Sequence, residues 1–84
     1  MKLARYVKFR EEKFGGVLFE TRSEKVFALN PTASAVVREI AGGACDEPAL
    51  IARLGERFSG NAAIIESEIN AFVGDLRNRG LLED

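Results

Sequence analysis

One stretch, Lys25–Ile40 with the sequence KVFALNPTASAVVREI, restricts the possible folds more than any other part of the chain. Lys25-Val26-Phe27-Ala28-Leu29 is apolar after its lysine and rich in strand formers. Asn30 follows, a side chain that accepts from the free N–H groups of a first helical turn, and Pro31 already holds the φ that such a turn needs. Ala33, Val36, Val37 and Ile40 then recur at i, i+3, i+4 and i+7, one face of a helix. A strand is thus joined to a helix without slack, and the junction fixes where the strand's free edge lies relative to the helices.

The 84 residues predict a single domain over 1–84. A domain of this size buries roughly 60–65 % of its unfolded surface, so every large apolar residue counts. No apolar run approaches the roughly 18–20 residues that span a bilayer, and Met1–Arg5 lacks the apolar stretch of a signal peptide. The single Cys45 has no internal disulfide partner. These features lead to the expectation of a cytoplasmic protein that does not engage a membrane. The net charge of −1 conceals an asymmetry: residues 1–30 hold seven Lys/Arg against four Glu, and residues 31–84 hold five Arg against nine Asp/Glu. The basic half either is an ordinary solvated surface or faces an acidic partner.

Leu3–Phe9 alternates, with Leu3, Arg5, Val7 and Phe9 on one side and Ala4, Tyr6 and Lys8 on the other, which predicts a first strand. Phe14-Gly15-Gly16 reads as a turn, Val17–Glu20 as a second strand, and Thr21-Arg22-Ser23-Glu24 as a hairpin loop into Lys25–Leu29. The first helix stops at Gly42-Gly43. Asp46 is a suitable N-cap for the second, whose apolar set is Leu50, Ile51, Leu54 and Phe58, with Gly60 closing it. Asn61 can cap a third helix with the stripe Ile65, Ile69, Phe72, Val73 and Leu76; Gly80 ends it, and Leu81-Leu82 folds back as an apolar clip. The predicted strands cover about 3–9, 16–21 and 25–29, and the helices about 31–41, 47–58 and 62–79. The fold class is α+β: a three-stranded antiparallel meander followed by a three-helix bundle, winged-helix-like with the sheet first.

Catalytic chemistry is scarce. With no His and one Cys, the chain cannot build Ser-His-Asp or Cys-His nucleophile systems or His/Cys zinc sites. The carboxylate neighbours Glu11/Glu12, Asp46/Glu47 and Glu66/Glu68 are adjacent or i,i+2, a spacing that does not direct a pair into one pocket. Neither glycine pair has the spacing of a phosphate loop. The expectation is a protein that is not an enzyme, with no metal and no cofactor. A DNA-binding winged helix is the alternative, but the third helix opens Ala62-Ala63-Ile64-Ile65-Glu66-Ser67-Glu68 and brings two carboxylates towards phosphate. Arg53 and Arg57 on the second helix are opposed by Glu47 and Glu56.

The Lys25–Leu29 strand is an edge in a meander of this order, and after Lys25 it has neither charge nor proline to protect it. It can accept an extended peptide by strand addition, pair with a second copy, or lie covered by the third helix. The residues alone leave these readings open.

The ordered set of features resembles the PqqD family, the small recognition elements that bind the leader of a ribosomally made precursor peptide (RiPP recognition elements). The matching features are Val26-Phe27-Ala28-Leu29-Asn30-Pro31-Thr32-Ala33, the Gly42-Gly43 turn, the acid opening helix two and Leu76-Arg77-Asn78-Arg79-Gly80-Leu81-Leu82. They span roughly Tyr6 to Leu82, and Phe14–Phe19 is similar to members that accompany radical SAM peptide maturases. The resemblance implies a non-catalytic peptide chaperone that takes the leader as a strand against Lys25, Val26, Phe27, Ala28 and Leu29. Helix-three contacts would be drawn from Ile64, Glu68, Ala71, Phe72, Asp75 and Arg79. It implies a precursor peptide and a radical SAM maturase as partners; nucleic acid is not expected from the charges of the second and third helices, and monomer or homodimer stays open.

Overall fold

In the computed structural model the described residues are 1–43, 46–57 and 62–83, with side chains described for 1–43, 46–55 and 66–83. The chain runs β1 (Lys2–Leu3), β2 (Val7–Glu12), β3 (Gly15–Glu20), β4 (Lys25–Leu29), α1 (Pro31–Ala41), α2 (Glu47–Arg57), α3 (Ala62–Asn78) and β5 (Leu82–Glu83). This is the expected α+β order, an antiparallel sheet β2-β3-β4 followed by helices.

The N-terminal segment departs from expectation. Leu3–Phe9 is not one strand: Lys2-Leu3 pairs with Leu82-Glu83 at the far end of the chain, while the meander strand begins at Val7 and runs to Glu12. The Val7 amide donates to the Ala4 carbonyl at 2.9 Å, a tight turn that breaks the alternation and buries Ala4 in place of Arg5. The hairpin also turns earlier than expected. Glu12 pairs with Gly15, leaving Lys13-Phe14 as the loop and both glycines in the strand.

Gly15 has a reason to be there. It has φ +143, and a Cβ would lie 2.1 Å from the Leu29 carbonyl oxygen, where no side chain fits. This close approach brings the β2–β3 turn against the β4–α1 junction, and the Ser34 hydroxyl secures it by donating to the Gly15 carbonyl at 2.8 Å.

The helix ends follow the sequence signals. The Ala33 amide donates to Asn30 Oδ1 at 2.8 Å, with Pro31 opening α1, and the Ala49 amide donates to Asp46 Oδ1 at 2.9 Å before α2. Gly80, at φ +74, ends α3: its amide reaches the Arg77 carbonyl and the Leu81 amide reaches the Leu76 carbonyl, both at 3.0 Å. That is the paired arrangement of a Schellman cap. The sequence signals at Cys45, Phe58, Gly60, Asn61 and Ile65 lie outside the described residues or side chains.

Val36, Val37 and Ile40 of α1, Leu50 and Leu54 of α2, and Ile69, Val73 and Leu76 of α3 form the core with Val7, Leu18, Leu29 and Leu81. Leu81 is fully buried, so the C-terminal clip closes as expected. Tyr6 adds a polar fastening: its hydroxyl donates to the Gly80 carbonyl at 2.5 Å, and the Arg22 guanidinium stacks 3.6 Å from its ring centre. Among the described residues, no helix is long and apolar enough to cross a membrane.

Candidate functional site

β4 lies at the edge of the sheet, hydrogen-bonded on one side to β3. Its alternation sends Phe27 and Leu29 inward, Leu29 fully into the core, while Val26 and Ala28 are exposed on the other face. Backbone direction follows from the ladder. The Thr21 amide donates to the Tyr6 carbonyl at 2.8 Å, so Thr21, Phe19 and Val17 turn their peptide groups towards β2. The intervening Gly16, Leu18 and Glu20 then turn theirs towards β4, where their partners are Leu29, Phe27 and Lys25. It follows that Val26 and Ala28 direct both N–H and C=O away from the sheet, onto the open edge.

Beside this edge is a groove of about 150 Å³ between β4 and the C-terminal half of α3. Leu18, Phe27, Ala28, Leu29, Phe72, Leu76 and Leu81 form its apolar lining, and Asp75 and Arg79 supply its polar end. Arg79 Nε donates to Asp75 Oδ2 at 3.0 Å, and the Arg79 guanidinium lies 5.2 Å from the centre of the Phe27 ring. α3 packs closely against α2 and β5. The space beside β4 is therefore bounded by side chains and stays open.

Of the residues the sequence singled out, Phe27, Ala28, Leu29, Phe72, Asp75 and Arg79 line the groove. Phe72 stands both in the expected apolar stripe of α3 and in the expected contact set; it is half-buried and serves both. Lys25 and Val26 lie on the exposed strand outside the lining, Glu68 and Ala71 are exposed and do not line it, and the side chain of Ile64 lies outside the described residues. Leu18, Leu76 and Leu81 were missed as lining residues. Their only sequence signal was apolar character: Leu18 reads as part of a strand, Leu76 as part of the α3 stripe and Leu81 as part of the clip.

The β3–β4 loop is held from within. The Glu20 carboxylate accepts from the Ser23 hydroxyl and from the amides of Arg22 and Ser23 at 2.8 and 3.1 Å. The Ser23 hydroxyl holds the Glu20 carboxyl below the usual carboxylate range; desolvation opposes this, while the two amides and the Arg22 charge reinforce it. The same loop places Glu24 at φ +61, the left-handed conformation that turns the chain into β4.

Fold and groove together define a small α+β domain that keeps a strand edge open beside a helix. Within that class the chain belongs to the PqqD family, whose model, described as coenzyme PQQ synthesis protein D, it matches over residues 15–82. No curated protein matches the sequence significantly. Among solved structures, TbiB1 in complex with the TbiA(beta) leader peptide is similar with a TM-score of 0.86 at 20% identity, covering 99% of this chain and 95% of that one. A lasso peptide synthetase B1 complexed with its leader peptide is similar at 0.81 and 23% identity, covering 99% and 96%. Streptococcus suis SuiB is similar at 0.52 and 17% identity, where 95% of this chain corresponds to 22% of that one.

Proposed function

We propose that this protein is a non-catalytic adaptor that binds the leader of a ribosomally made precursor peptide as a fourth strand on β4 and presents it to a modifying enzyme. The observation that carries this reading is the outward-facing backbone of Val26 and Ala28 beside an open apolar groove. An extended peptide satisfies those N–H and C=O groups and sets alternate side chains against Phe27, Phe72 and Leu76. Family membership supports the reading, and so do the two neighbours of matching length, each solved with a leader peptide. Binding the leader near the enzyme raises the effective concentration of the segment to be modified, a task that requires no catalytic group here.

The sequence resemblance favours a radical SAM maturase as the enzyme served. A second reading, in which the chain serves lasso peptide maturation, is favoured by the near-complete mutual coverage with the lasso peptide synthetase B1. DNA binding is disfavoured by Glu66 and Glu68, both exposed on α3.

The test is an amide NMR titration of labelled protein with the leader of a small peptide encoded beside it. Shifts concentrated on Lys25–Leu29 and Phe72–Arg79 are expected. A silent titration of the folded protein would overturn the adaptor reading and leave the edge to a second copy.

A further inference from the structure

The outer face of the sheet, opposite the helices, carries a second surface. Register places Lys8, Phe19 and Val26 in one row across it and Arg10, Val17 and Ala28 in the next. Phe19 is 36% exposed and Val26 62%; with Phe14 at the β2–β3 turn they are the exposed large apolar side chains among the described residues. Such groups in adjacent register positions mark an interaction surface better than scattered ones do. The β2 side of the face is cationic. Lys8 is exposed, and the Arg10 side chain is 82% exposed while pairing with Glu12 at 2.9 Å.

We infer that this outer face docks the precursor-modifying enzyme through a patch of that enzyme that is apolar at its centre and acidic at its rim. The inference rests on the adaptor reading. Two features favour this occupant. The apolar rows end at Val26 and Ala28, whose backbones also form the open edge, so a leader strand on β4 extends both rows on the same face. Its inward side chains meet the groove and its outward ones lie beside Val26 and Ala28. A partner on this face therefore contacts protein and leader together, as an enzyme that must distinguish loaded from empty adaptor requires. A second copy is a poorer match. It would bring Lys8 to a face whose one carboxylate on these strands, Glu12, is already paired with Arg10.

The test uses Phe19→Ser and the double variant Lys8→Glu/Arg10→Glu, on β3 and β2 and outside the groove lining. Each is immobilised beside wild type, checked for folding by circular dichroism, and titrated with the leader and with the purified enzyme encoded beside the protein, leader present or absent. The expected result is leader affinity within twofold of wild type and enzyme affinity weakened at least tenfold in both variants, with Lys8→Arg behaving as wild type. Unchanged enzyme affinity in both variants overturns the inference. So does a wild-type dimer in light scattering that Phe19→Ser makes monomeric, since a second copy would then own the face. Wild type that fails to bind leader refutes the adaptor reading instead, and the enzyme arm without leader still reads the outer face.

Discussion

The Arg79 guanidinium lies 5.2 Å from the centre of the Phe27 ring, joining the end of α3 to the edge strand across the mouth of the groove. An exposed cation–π contact contributes about 0.5–1 kcal/mol, and the i,i+4 pair with Asp75 about 0.3–0.5 kcal/mol. Arg79→Ala is expected to cost about 1 kcal/mol, read as a fall in Tm of about 4–8 °C. Arg79→Lys should recover the Asp75 pair but little of the ring contact, because an ammonium does not stack as a planar guanidinium does.

Ala28→Pro separates the edge from the fold. The Ala28 N–H points away from β3, so proline there removes no bond of the existing ladder, and an edge position tolerates it. The variant should melt near wild type while leader affinity falls about tenfold, a loss near 1.4 kcal/mol by calorimetric titration. Phe27→Pro is the contrast. It breaks the bond to Leu18, so unfolding should accompany any loss of binding.

Gly15→Ala is expected to destabilise the domain by about 2–4 kcal/mol in urea titration, since the added Cβ meets the Leu29 carbonyl and the backbone is strained. Gly55→Ala acts in the opposite direction. Nothing lies within 4 Å of its Cβ position in α2, and the gain in helix propensity should stabilise by about 0.5–1 kcal/mol.

Acid should loosen the β3–β4 loop. A carboxyl whose folded pKa is depressed contributes stability above its unfolded value, here 4.5, and that contribution is lost as pH falls through the folded value. Wild type should therefore lose urea resistance below about pH 4.5 more steeply than Glu20→Gln, for which this contribution is absent at every pH. Equal slopes for the two proteins would remove Glu20 from the account.

Tyr6→Phe deletes the hydroxyl that donates to the Gly80 carbonyl. The cost should be about 1 kcal/mol, and amide exchange at Arg77–Leu81 should quicken before the rest of the molecule responds.

Much of the architecture was legible because its signals are local. Asn30 with Pro31, Asp46 and Gly80 each act within one helical turn, and each occupies the position its chemistry foretold. The split of the first strand was not legible, because the partner of Lys2-Leu3 is at the opposite end of the chain and local alternation carries no trace of it. The groove was half legible. Phe72, Asp75 and Arg79 were named through the family resemblance, whereas nothing in the sequence sets Leu18 and Leu81 apart from any core leucine. Which apolar side chains face a space is decided by how far α3 stands from β4, a tertiary distance that no window of sequence contains.

The pairing of β1 with β5 sets Lys2 opposite Glu83, so the points where the chain enters and leaves the fold are neighbours. A domain with adjoining ends can be spliced into another polypeptide at a single surface position, with no long connection to bridge its width. The same unit is thereby equally suited to act as a separate subunit or as an insert within a larger machine.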